Sequence, residues 1–134
     1  MTEDNLETVR SLVEAWGTSL DAHMALYAED AVHVTAPDWP EQGTYRGRKA
    51  IRDLWSYILT EYPGSTVEID ELLSVSGGRV LSAFRWRFHG PSGIPGEMTA
   101  YALWTLEGGL VSRVEYFTQR PQALAAAGLD TGRG

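Results

Sequence analysis

Leu26-Tyr27-Ala28-Glu29-Asp30-Ala31-Val32-His33-Val34-Thr35-Ala36-Pro37-Asp38-Trp39, followed shortly by Tyr45-Arg46-Gly47-Arg48-Lys49-Ala50-Ile51, is the stretch that decides the fold. It opens with the close of a short helix near Ala28. Val32 and Val34 then alternate with His33 and Thr35 as the two faces of a strand do, and Pro37 turns the chain. A new helix starts after Gly47. Upstream, Leu6, Val9, Val13 and Trp16 repeat at helical spacing, with Leu12 widening the stripe and Gly17 as a stop. Asp21 can cap the short helix that runs to Ala28. Downstream, Ile51, Leu54, Trp55, Ile58, Leu59 and Tyr62 repeat at three and four until Pro63-Gly64 ends the third helix.

From Val67 the period changes to two. Val67 to Leu72, Val80 to Phe88, Glu97 to Leu106 and Leu110 to Gln119 read as strands, turned at Gly77-Gly78 and at Gly108-Gly109, the kind of pair a two-residue hairpin uses. Pro121 suits the first turn of a short last helix, Gln122 to Ala127, stopped by Gly128. Helices first and strands after make an α+β domain. With 134 residues, the chain is read as a single domain, 1–134, with an ordered core of about residues 5–128.

Composition removes several classes of function. Eighteen acids against 11 Lys and Arg give a net charge of -7, which repels phosphate backbones and anionic lipid, so neither nucleic acid nor a membrane surface is an expected partner. The chain has no cysteine, which excludes disulfides, thiolate nucleophiles and thiolate-bound metal. The polar, acidic start and the lack of a long apolar run point to the cytoplasm. His23 is expected on the exposed side of the second helix and His89 beside a glycine turn. No His, Asp and Glu set has the spacing of a metal site, and no nucleotide or cofactor motif is present, so no metal and no cofactor is expected.

The "YAEDA" turn (27–31), the "YRGRKAI" helix entry (45–51) and the late "LEGGLVSRVEYF" hairpin (106–117), in that order, resemble the nuclear transport factor 2-like superfamily. That group includes ketosteroid isomerases and SnoaL-like polyketide cyclases, and the resemblance spans residues 5 to about 128. It implies a curved antiparallel sheet wrapped around the long helix, with two further N-terminal helices and a conical pocket open at one end. The acids that serve the relatives are missing here. The base position of the isomerases falls on Thr35, their helix-one tyrosine on Trp16, and their late acid at Tyr101 or Ala102. The acidic set of the limonene epoxide hydrolases lands near Trp86, Phe84 and Tyr116. An acid on the last strand, as in the cyclases, is available only if Glu115 faces inward.

Pairing the last hairpin from residues 107 and 110 puts Thr99, Tyr101, Leu103, Val114 and Tyr116 on one face and Ala102, Trp104, Arg113, Glu115 and Phe117 on the other. Burying Arg85 and Arg87 unpaired is costly, so Trp86, Tyr101 and Tyr116 are assigned inward. A bulge would shift this by one residue and exchange Tyr116 for Glu115. Trp104 and Phe117 then form an outer apolar patch that predicts a homodimer. Inside, His33 and Asp38 are the candidate acid-base pair, with Tyr101 as a donor to a developing oxyanion; each also has a purely structural reading, as a hydrogen-bonded strand histidine and a turn aspartate. Trp16, Thr35, Trp39, Trp86 and Tyr116 are the candidate ligand-binding residues. Together they suit a small apolar ligand with a polar group. The expectation is a small-molecule-binding protein, and within that class an acid-base enzyme of isomerase, cyclase or dehydratase type, without a cofactor, acting on an apolar carbonyl compound; the alternative is a non-catalytic ligand-binding module or a dimerisation domain.

Overall fold

A computed structural model describes residues 2–37, 39, 43–90 and 92–129. The helices are α1 (Thr2–Ala15), α2 (Leu20–Met24), α3 (Arg48–Glu61) and α4 (Arg120–Ala126), and the strands are β1 (Tyr27–Val34), β2 (Thr44–Arg46), β3 (Thr66–Val75), β4 (Arg79–His89), β5 (Pro95–Glu107) and β6 (Leu110–Phe117). The α+β class stands. Ser19 caps α2 by accepting a hydrogen bond from the Ala22 amide, a role the sequence reading gave to Asp21.

The six strands form one sheet in the order β2-β1-β6-β5-β4-β3. Four of its five pairings are antiparallel, but β1 runs parallel to β6, so the sheet is mixed and not wholly antiparallel as expected. The helix and turns between β1 and β3 return the chain to the sheet's far side, which makes the parallel contact possible. Helix α2 ends four residues before Ala28, and Tyr27 and Ala28 already belong to β1. The short strand β2 was not read from the sequence; its three residues lie at the sheet edge, where only one neighbour supports them.

Register decides which residues face inward. Glu107 pairs with Leu110 as expected, yet Thr105 pairs with Arg113, so Ser112 is an extra residue in β6. Its hydroxyl donates to the Thr105 carbonyl at 3.2 Å. The shift leaves Tyr116 on the concave face and changes its partner from Tyr101 to Ala102, while Trp104 pairs with Val114. Hence Ala100, Ala102, Trp104, Val114 and Tyr116 join the core beneath α1 and α3, and Tyr101 and Leu103 lie on the convex face. The bulge does not bring Glu115 in.

Two expectations fail on this point. Tyr101 is not inward, and Trp104, only 1% exposed, is not part of an outer patch. Phe117 is on the outer face, but α4 is packed there through Ala123, Ala127 and Leu124, in a second small core with Leu81, Leu103 and Tyr101. The rest of the convex face is charged: Arg85 pairs with Glu68 and Asp70, Arg87 with Glu97, Arg113 with Glu115, and Arg120 with Glu71. No helix among the described residues is long and apolar enough to cross a membrane.

Candidate functional site

The concave face of the sheet and the helices above it border a partly open cavity of about 170 Å³. One wall is the sheet, with Val67, Phe84, Trp86, Phe88, Met98, Ala100, Trp104 and Tyr116; the other is helix and loop, with Val13 and Trp16 from α1, His23 from α2, Trp39 from the loop after β1, and Trp55, Ile58 and Tyr62 from α3 and its end. All five tryptophans of the chain are therefore at the cavity. Of these described lining residues, none is a carboxylate or a lysine or arginine. Gly96 serves one corner: a Cβ there would stand 2.7 Å from the Phe88 ring, so only glycine lets Phe88 lie across β5.

The rings meet mostly edge to face, the arrangement their quadrupoles favour. Trp16 crosses Trp55 at 5.5 Å and Trp86 at 6.2 Å between ring centres, and Tyr62 meets Trp86 at 5.4 Å. Tyr116 is the hub of the other end, 5.7 Å from Trp39 and 5.9 Å from Trp55.

The two walls treat their indole N–H groups differently. On the sheet, Trp86 donates to the Ser65 hydroxyl at 3.0 Å and Trp104 to the Ser82 hydroxyl at 2.9 Å. On the helix and loop wall, the buried Nε1 atoms of Trp16, Trp39 and Trp55 make no well-formed hydrogen bond; the Trp55 N–H lies near enough to the Tyr27 hydroxyl to lower its pKa against the larger effect of burial. An indole N–H is a donor only, so nothing but an acceptor can satisfy it.

His23 is the titratable residue that the sequence reading misplaced. It is buried, and its ring bridges two elements: Nδ1 is 2.6 Å from the Leu12 carbonyl and Nε2 is 3.0 Å from the Tyr27 hydroxyl. A carbonyl only accepts, so Nδ1 carries the proton and the Tyr27 hydroxyl donates to Nε2. Burial lowers the His23 pKa to about 4, against a smaller upward push from the Leu12 hydrogen bond. Burial also raises the Tyr27 hydroxyl, and raises the Tyr116 hydroxyl well above the ordinary range, with the charge and hydrogen bonding of Tyr27 adding to the effect at Tyr116.

His33 lies inside the protein, 0% exposed, behind the cavity wall and not in it. Its ring is 4.8 Å from that of Tyr116 and 5.1 Å from that of Trp55, and neither nitrogen has a hydrogen-bond partner. Burial, and then the neighbouring His23, lower its pKa to about 3. Thr35 is also buried, but it donates to the Gly43 carbonyl at 3.2 Å and is not among the lining residues. Asp38 lies outside the described residues. Trp16, Trp39, Trp86 and Tyr116 are brought together as expected; Tyr101 is on the opposite face of the sheet. His89 is exposed, and no group of three or more His, Asp or Glu among the described residues could hold a metal ion.

Comparison with known proteins agrees with this architecture. A ketosteroid isomerase-like hypothetical protein from Catenulispora acidiphila, solved in complex with trimethylamine, has a TM-score of 0.74 at 20% identity over 96% of this chain and 97% of that one. A putative SnoaL-like polyketide cyclase from Jannaschia has a TM-score of 0.75 at 20% identity, covering 94% and 92%. TerC, co-crystallised with polyporic acid, has a TM-score of 0.77 at 16% identity, covering 92% and 97%. No curated protein matches the sequence. The model of the SnoaL-like domain matches residues 9–114, and the chain belongs to that family.

Proposed function

We propose that this SnoaL-like domain binds a small, largely apolar, ring-shaped molecule in its aromatic cavity without converting it. The observation that carries this reading is the cavity itself: partly open, lined mainly by aromatic rings, and without an acid or a strong base among its described lining residues. Its volume of about 170 Å³ resembles that of dry apolar cavities of roughly 150 Å³ that take up benzene, and falls below the roughly 300 Å³ where drug-sized sites begin. One ring with a short substituent fits better than a polycycle. Related folds solved with trimethylamine and with polyporic acid support small-molecule occupancy in general.

Acid-base turnover of an apolar carbonyl compound has less support. A general base works best when its pKa lies near the working pH, and His33 and His23, at about 3 and about 4, are weak bases with buried rings. Tyr101, the other catalytic candidate, is on the wrong face. Native mass spectrometry of freshly purified protein, followed by tryptophan fluorescence titration with ethylbenzene and naphthalene, tests the proposal. A copurifying small molecule, or saturable binding with ethylbenzene ahead of naphthalene, is expected. Absence of any bound mass together with flat titrations for both compounds would contradict it.

A further inference from the structure

We infer that the polar group of the ligand is a hydrogen-bond acceptor oxygen, seated against Trp39 and Trp55 of the helix and loop wall, where they face Tyr116 of the sheet. This rests on the binding reading above and names the chemistry of what is bound. The observation is the distribution of unmatched polar atoms. A buried donor left unpaired costs roughly 1–3 kcal/mol, and native interiors hold few of them. Here the indole Nε1 atoms of Trp39 and Trp55 are both buried and without a well-formed hydrogen bond, Trp55 having the Tyr27 hydroxyl nearby, and both rings stand within 6 Å of Tyr116. The two indoles on the sheet wall have serine partners. Had the fold needed every tryptophan satisfied from within, serines could have served here too.

Edge-to-face contacts with neighbouring rings compensate such N–H groups only weakly. A carbonyl or ether oxygen compensates them fully. An alkylammonium ligand is the opposite case: aromatic faces attract a cation, yet the unmatched polar atoms here are mainly donors, and the described lining residues hold no carboxylate to balance the charge. The N–H groups are closed off from water, so an indole must turn slightly to reach the ligand.

Four probes on one carbon skeleton separate the possibilities: acetophenone, 1-phenylethanol, 1-phenylethylammonium and ethylbenzene, each titrated calorimetrically into the intact chain. Acetophenone is expected to bind about tenfold more tightly than ethylbenzene, the scale of one well-made hydrogen bond in a dry site. The ammonium should be weakest and the alcohol intermediate. Equal affinity for ketone and hydrocarbon, or a preference for the ammonium, overturns the inference while leaving the binding proposal intact. Failure of all four to bind instead removes the binding proposal, and this inference with it. In Trp39→Phe and Trp55→Phe the ketone-to-hydrocarbon affinity ratio should narrow, whereas loss of packing alone lowers both affinities alike. An unchanged ratio in both variants also overturns the inference.

Discussion

The two walls of the cavity are built from the same kind of side chain and differ in how their polar atoms are treated. Trp86 and Trp104, on the sheet, each donate to a serine; Trp16, Trp39 and Trp55, on helix and loop, make no hydrogen bond of comparable geometry. The sheet wall is a finished piece of core, where packing and hydrogen bonding support each other. The helix and loop wall carries an unmet polar cost. Stability alone gives no reason to keep that cost, and binding sites are where proteins keep such features. The convex face repeats the lesson from outside, since Arg85 and Arg87 are matched with acids on neighbouring strands, and Arg120 of α4 with Glu71 of β3.

The largest effect should come from breaking the finished wall. Trp104→Ala removes a ring that is 1% exposed and should cost about 3–5 kcal/mol in chemical denaturation, as buried tryptophan truncations do. A loss below 1 kcal/mol would place Trp104 back on an outer surface.

Next is acid sensitivity. His23 and His33 have folded pKa values of about 4 and about 3 against 6.5 when unfolded, so between pH 6.5 and roughly 3 the unfolded chain binds protons that the folded chain excludes. Stability is therefore fully present above pH 6.5 and falls as the pH drops through that window, by a few kcal/mol per histidine. His33→Phe should flatten this acid limb in denaturation curves taken from pH 7 to pH 4. An unaltered limb means that the His33 ring is not buried neutral.

Smaller again is Ser82→Ala, which leaves the Trp104 N–H unpaired beside the cavity and should cost roughly 1–3 kcal/mol. Trp55→Phe takes away an N–H that was already unpaired, so its cost should be the lost ring volume alone, offset by the removed donor, and come to about 1 kcal/mol or less. If Trp55→Phe proves as damaging as Trp104→Ala, the contrast between the walls is gone.

Much of the fold was legible in the sequence because periodicity reports which face of an element is buried. The stripes at Leu6–Trp16 and Ile51–Tyr62 and the alternation after Val67 all returned as α1, α3 and the β3–β6 meander. What was not legible depended on a single residue. Ser112, as an extra residue in β6, changes every cross-strand partner beyond it, and neither propensity nor alternation marks such a bulge. Tyr101 and Trp104 changed faces on that account. His23 was misread for a related reason: a five-residue helix is too short for a stripe to declare its inner side, and the partners that hold His23, the Leu12 carbonyl and the Tyr27 hydroxyl, lie on other elements. The set of tryptophans was visible from the start, but which of them lacked a partner follows from where Ser65 and Ser82 fall in three dimensions.

The central claim, that the helix and loop wall holds the ligand's acceptor, is tested most directly by the indole N–H resonances. In a ¹H–¹⁵N correlation spectrum each of the five tryptophans gives one cross-peak, assigned by single Trp→Phe variants and followed while acetophenone is added. The account predicts that the Trp39 and Trp55 peaks move downfield on saturation, as newly hydrogen-bonded protons do, while the Trp86 and Trp104 peaks, already bonded to Ser65 and Ser82, stay nearly in place. Saturable binding that leaves Trp39 and Trp55 unmoved, or shifts all five equally, contradicts it.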